Sequence, residues 1–252
     1  MRQRCGETRK RTGLLAGWLV LFGWISVASS QTVTVTGRVE LVESSKRHKA
    51  ESVSPSVVWL TPVSPPNSES AGAFLPSDSP PKLIQRNKSF VPHLLVVPVG
   101  SAVEFPNRDP FFHNVFSLFE GKRFDLGLYE AGSARLVHFD RPGISYIFCN
   151  IHPDMSAVVI SLTTRWYAIS DPSGQISIPD VPYGRYTLHA WNEHALPEAL
   201  QSVTREVTIS PDVPSLGLVR LTANPEAAVA HKNKYGRDYD QPSPSSGIYP
   251  QQ

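Results

Sequence analysis

Cysteine and methionine are scarce in this chain, with two of each in 252 residues. One of each falls in YIFCNIHPDMSAVVI (146–160), where Cys149, His152 and Met155 follow one another at three-residue spacing. A soft thiolate, an imidazole and a thioether so close together suit copper better than other common metals. Zinc takes four Cys/His ligands or a carboxylate, and a thioether serves it poorly. A blue-copper centre, trigonal His2Cys with a weak axial Met, needs one more histidine. His113 is best placed to supply it. It opens an apolar run in NRDPFFHNVFS (107–117), well upstream of the cysteine.

These ligands need strands to hold them. The chain has almost no helical periodicity, many short alternating apolar runs, and 23 Pro and 16 Gly. That pattern predicts an all-β fold. Strand-like runs cover 32–41, 56–62, 93–100, 101–107, 113–118, 134–140, 144–149 and 156–162. NRDP, FEGKRFD and RPG read as turns. Their number and spacing fit a Greek-key β-sandwich. The metal ligands then lie at strand ends, with His113 on one strand and three ligands on the turn after 144–149. The Pro/Ser-rich stretch 63–81 reads as a mobile surface loop.

A second, smaller antiparallel sandwich is expected over 164–222. Its predicted strands are 166–170, 175–179, 185–191, 202–209 and 216–222, with DPSG (171–174) as a turn. The remainder, 223–252, is poor in apolar residues and ends in Pro, Ser and Gln, as a disordered tail does.

The first thirty residues stand apart. Arg2, Arg4, Arg9, Lys10 and Arg11 precede the apolar run LLAGWLVLFGWISV and the small residues ASS. This order is that of a secretory signal peptide. An uncleaved membrane anchor is the alternative, although the run is short for a span. The segment holds five of the 24 basic and one of the 22 acidic residues, leaving 19 against 21, a formal charge of −2. No basic patch remains, so nucleic acid is not an expected partner. Cys5 and Met1 leave with the segment. Cys149 and Met155 then become unique, and a lone exported thiol needs protection that metal binding provides.

The copper region resembles the cupredoxins, the small blue copper proteins such as plastocyanin, pseudoazurin and amicyanin. The residues carrying the resemblance are VPVGSAVEFPNRD leading to HNV, then GISYIFCNIHPDM. Within them stand Asn107, Asp109, His113, Asn114 and Val115, then Gly143, Tyr146, Phe148, Cys149, His152 and Met155. The two-residue gap between His152 and Met155 is similar to the short loop of amicyanin. The likeness covers roughly 85–162, with 31–81 as an extension of the family pattern. It implies a cupredoxin unit over 31–163 with one type 1 copper ion on His113, Cys149, His152 and Met155. It also implies that Asn114 hydrogen-bonds near the cysteine loop. The ligand end of the sandwich would expose His152, with Phe111, Phe112 and Pro153 in an apolar patch that docks a redox protein. The second unit resembles the carboxypeptidase regulatory-like, or transthyretin-like, domains through Gly174, Ile176, Ile178, Pro182, Gly184, Tyr186 and Leu188. Such domains bind glycan or protein ligands, or serve structure.

The expected function is thus exported, extracytoplasmic one-electron transfer and not enzymatic catalysis. An oxidase would need further His-x-His pairs. A copper carrier or buffer is one alternative, though carriers favour exposed Met- or His-rich sites. A surface binding module with structural copper is another. His93 and His138 read as packed or surface residues, and His48 and His231 as solvated. His189 and His194 lack the spacing of a second metal site.

Overall fold

The computed structural model describes residues 31–43, 54–64, 74–118, 121–224 and 232–239. The signal-like segment 1–30, residues 65–73 of the 63–81 stretch, His48, and 225–231 (with His231) and 240–252 of the expected tail lie outside the described residues. Along the chain run β1 (Thr32–Glu43), β2 (Val57–Pro62), β3 (Ile84–Arg86), β4 (Ser89–Val91), β5 (Leu94–Pro98), β6 (Ser101–Pro106), β7 (His113–Ser117) and β8 (Phe124–Tyr129). There follow β9 (Ala134–Phe139), β10 (Gly143–Cys149), β11 (Ser156–Leu162), β12 (Tyr167–Ile169), β13 (Gln175–Pro182), β14 (Gly184–Trp191), α1 (Pro197–Val203), β15 (Arg205–Ile209) and β16 (Ser215–Ala223). The fold is nearly all β, as the alternation predicts.

Two sandwiches are present. The first packs a five-stranded sheet, β5-β11-β10-β7-β8, against the pair β6-β9 and the hairpin β3-β4. Bridges at Lys82–Glu104 and Gln85–Asn107 join the hairpin to β6. Between these layers lies a core that includes Val103, Phe105, Val115, Phe139, Ile147 and Val159, with Cys149 and Met155 at its edge in sequence but buried with it. The second sandwich packs β13-β1-β16 against β12-β2-β14-β15.

This pairing corrects the expected boundary. The expected unit over 31–163 would contain β1 and β2, yet β1 pairs with β13 and β16, and β2 pairs with β12 and β14. Their apolar residues Val35, Val39, Val58 and Leu60 share a core with Ile178, Leu188 and Leu221. The first sandwich is therefore inserted in the chain between β2 and β12. Alternation shows that a segment is a strand and which face is apolar, but not which distant strand it meets.

Three further elements differ from expectation. The segment 202–209, read as one strand, is the end of α1 followed by β15. A strand, β8, begins inside the predicted FEGKRFD turn, and the short hairpin β3-β4 was not anticipated. The DPSG turn is as expected. Asp171 accepts from the backbone N–H groups of Ser173 and Gln175 at 2.8 and 2.9 Å. Gly174 has φ +82°, and a Cβ there would fall 2.2 Å from the Val39 carbonyl oxygen, so only glycine fits. The motif residue Tyr186 donates its hydroxyl to the Pro182 carbonyl at 2.8 Å, tying β14 back to the end of β13.

The five-stranded sheet is covered on both faces. Ala157 and Val159 of β11 point into the core of the first sandwich, while Val158, Ile160 and Leu162 pack with Val57 and Trp191 of the second. Burial on both sides explains why 156–162 reads as a continuous apolar run. Beside this contact a polar cluster bridges the two units. His93 Nε2 donates to Glu193 Oε2 at 2.7 Å, and His93 Nδ1 faces the Ser156 carbonyl at 3.1 Å. Ser54 donates to the other Glu193 oxygen, and His194 lies 3.6 Å from it.

Both ring nitrogens of His93 thus meet acceptors, which favours the imidazolium. Its pKa is raised, chiefly by the hydrogen bond to Glu193, against the opposing effect of burial. Burial works against the Glu193 carboxylate, but His93 and Ser54 outweigh it and hold its pKa down at about 2. Glu193 contributes stability above its ordinary value of 4.5 that is lost as pH falls toward about 2. His93 contributes stability below its ordinary value of 6.5 that is lost as pH rises through its folded value. The melting-temperature advantage of the wild type over Glu193→Gln is therefore expected to peak between pH 4.5 and 6.5. Melting curves across pH check it, and a flat advantage contradicts it.

Candidate metal centre

The loop before β7 is shaped by Asn107. Its Oδ1 accepts the Asp109 N–H at 3.0 Å and its Nδ2 donates to the Phe111 carbonyl at 2.8 Å. Such a side chain closing on its own backbone stabilises a tight turn. The turn delivers His113, fully buried, onto the first residue of β7.

The ligand loop is closed in a similar way. Cys149 N–H donates to the Met155 carbonyl and Met155 N–H to the His152 carbonyl, both at 3.2 Å. Asn150 N–H donates to the Asn114 carbonyl at 2.8 Å, fastening the loop to β7. The contact near the cysteine implied for Asn114 is thus made by its backbone. Its side chain turns instead to Asp125, donating to Oδ1 at 2.8 Å.

These two segments bring His113, Cys149 and His152 together, with their ligand atoms all within 4.8 Å of one another. Cys149 Sγ lies 3.5 Å from His113 Nδ1 and 3.6 Å from His152 Nδ1. Metal bonds of about 2.0 Å to nitrogen and 2.3 Å to sulfur span such edges at angles between tetrahedral and trigonal. The donor set and its spacing therefore fit a thiophilic metal ion. Met155 is fully buried in the same cluster as Cys149.

The protonation states suit ligation, because a metal takes the neutral imidazole. Burial lowers the His113 pKa, with Asp109 opposing. Burial, followed by repulsion from His113 and Lys88, brings His152 down to about 4. His113 Nε2–H donates to Asp109 Oδ2 at 2.9 Å, which leaves the Nδ1 lone pair facing the sulfur. Asp109 also accepts the N–H groups of Asn87 and Lys88 at 2.6 and 3.0 Å. Burial alone would raise its pKa, but these donors outweigh it and hold the carboxyl below its usual range.

Phe111 packs on both imidazoles, its ring centroid 5.4 Å from each. Phe112, 43% exposed, faces outward, as do Pro153 and Ile151. Of the three residues expected in a docking patch, Phe111 is thus half-buried over the ligands, and Phe112 and Pro153 are on the surface. The orienting role of Asp109 was missed in sequence, although a carboxylate four residues before the histidine was the available signal. Nothing in the sequence marked Lys234 and Tyr239 as neighbours of the ligand loop. His189 stacks on Trp59 at 5.1 Å, and among the described residues no metal-competent cluster includes it or His194.

No protein-family profile and no curated protein matches the chain. Solved structures do. A copper-containing nitrite reductase from Thermus scotoductus SA-01 is 26% identical, with a TM-score of 0.32, over 33% of this chain and 22% of the reductase. A novel purple cupredoxin from Nitrosopumilus maritimus is 23% identical, with a TM-score of 0.30, over 32% of this chain and 99% of the cupredoxin. A reduced amicyanin variant is 21% identical, with a TM-score of 0.32, over 34% of this chain and 85% of amicyanin. The matched stretch is therefore about a third of this chain, and it resembles copper proteins.

Proposed function

We propose that the chain is an exported one-electron carrier that holds a single type 1 copper ion through His113, Cys149 and His152, with Met155 as axial ligand. The observation that carries this reading is the pair of 3.5 and 3.6 Å separations between the Cys149 sulfur and the two Nδ1 atoms. Copper held there would supply one-electron chemistry, cycling between Cu(II) and Cu(I). The residues supply the rest. Asp109 fixes the His113 tautomer, two backbone bonds fix the ligand loop, and Phe111 shields both imidazoles. Burial of Cys149 and Met155 favours a retained ion over the exchangeable one of a copper carrier. The test is Cu(II) titration of the purified protein beside Cys149→Ser, looking for intense visible absorption that is bleached reversibly by a reductant. A colourless wild type would sink this reading.

The basic and apolar start of the sequence supports an extracytoplasmic location. Among the described residues no helix is long and apolar enough to cross a membrane. The outward-facing Phe112, Pro153 and Ile151 beside His152 support docking of a redox protein at this end. Phe112→Ser is expected to raise the partner's Kd roughly tenfold while leaving the copper spectrum unchanged. Kinetics of reduction by the physiological partner check it, and an unchanged rate places the docking face elsewhere.

A further inference from the structure

The segment 232–239 was expected to belong to a disordered tail, yet it lies against the ligand loop. It is a compact turn. Asn233 Oδ1 accepts the N–H groups of Tyr235 and Arg237 at 3.0 and 3.1 Å, and Asn233 N–H donates to the Arg237 carbonyl at 2.8 Å. From this turn Lys234 N–H donates to Asn150 Oδ1 at 2.9 Å, and Lys234 Nζ donates to Asp125 Oδ2 at 2.8 Å. The Tyr239 hydroxyl donates to the Cys149 carbonyl at 2.7 Å.

These bonds close a ring. Asn150 N–H reaches Asn114, the Asn114 side chain reaches Asp125, Asp125 holds Lys234, and Lys234 returns to Asn150. We propose that residues 232–239 clamp the ligand loop, with Lys234 and Tyr239 as positioning residues of the metal centre. The inference rests on the copper reading above. Cys149 has a peptide plane on each side, and both must be held for the sulfur to keep its aim. Met155 holds the nitrogen side and Tyr239 holds the carbonyl side. A buried carbonyl at a strand end needs a donor, and at this one the distant tyrosine supplies it. Asn150 lies between two ligands, so the ring through Lys234 also limits how far His152 can swing from Cys149.

Partners that orient metal ligands typically govern metal affinity by 10–100-fold. In the full chain loaded with copper, Tyr239→Phe and Lys234→Met are each expected to speed copper release to EDTA roughly tenfold or more. Lys234→Arg, which keeps a donor for Asp125, is expected to restore slow release. A readout independent of metal is hydrogen exchange in the copper-free protein. The Asn150 and Lys234 amides are expected to be protected in wild type and to exchange faster in both variants, with melting temperature nearly unchanged. Copper release and exchange both at the wild-type rate would overturn the clamp while leaving the copper site standing. A wild type without copper affinity would overturn both readings, and protected amides in that case would show only a packed turn.

Discussion

Cys149→Ser is expected to abolish the intense visible absorption and to lower copper affinity by more than a hundredfold. The sulfur lies 3.5 and 3.6 Å from the two Nδ1 atoms, so its loss removes the one thiolate from the proposed ligand set. A serine hydroxyl is a hard, protonated group at neutral pH and does not replace a thiolate toward copper. Loss of a mere orienting partner costs 10–100-fold in affinity, so loss of the ligand itself exceeds that. The fold should survive, because the hydroxyl is close in size to the thiol it replaces. A buried hydroxyl left unpaired would cost about 1–3 kcal/mol. Copper titration and circular dichroism separate the two effects. An affinity within tenfold of wild type would mean that Cys149 is a core residue and not a ligand.

Asp109→Asn is expected to lower copper affinity 10–100-fold and to destabilise the copper-free protein by about 2–3 kcal/mol. The carboxylate accepts three donors, from Asn87, Lys88 and His113. An amide offers one oxygen and sets an NH2 against the remaining donors. Asn87 and Lys88 both have φ of 54° in the tight loop between β3 and β4, so Asp109 also steadies a two-residue left-handed turn. With the carboxylate gone, His113 loses the bond that fixes its proton on Nε2. Denaturant melts of the copper-free protein and competitive copper titration measure the two losses. An Asn variant equal to wild type in both would show that the contact is incidental.

The candidate site is legible in the sequence because most of it is local. Cys149, His152 and Met155 fall on one loop, and the apolar runs on either side are strands by composition alone. The fourth residue, His113, was reachable only because HNV after NRD is itself a recognisable cluster. What escaped was whatever depends on distant pairing. The strand β1 alternates cleanly, yet nothing in TVTVTGRVEL states that it will run parallel to β16 at the far end of the chain. The helix α1 has only seven residues, too few for a 3.6-residue period to emerge, and its opening Pro197 reads as loop punctuation although proline suits a helix start. The strand β8 was hidden by Gly127, which has φ +66° beside an irregularity in the β7–β8 register. The turn 232–239 was hidden for a different reason. Polar hydrogen bonds hold it, not apolar burial, so its composition is that of a tail.

On the proposed copper reading, the position of the first sandwich within the chain bears on how an electron would be handed over. Its entry and exit strands, β2 and β12, are antiparallel neighbours, with Trp59 opposite Tyr167. Two adjacent attachment points and a shared apolar contact through Val57, Val158, Ile160 and Trp191 leave no single hinge about which it can pivot. Carriers tethered by one flexible linker search for their acceptor by swinging on it. A sandwich held at both ends does not swing on a linker, so under the proposed copper reading a partner would have to come to it.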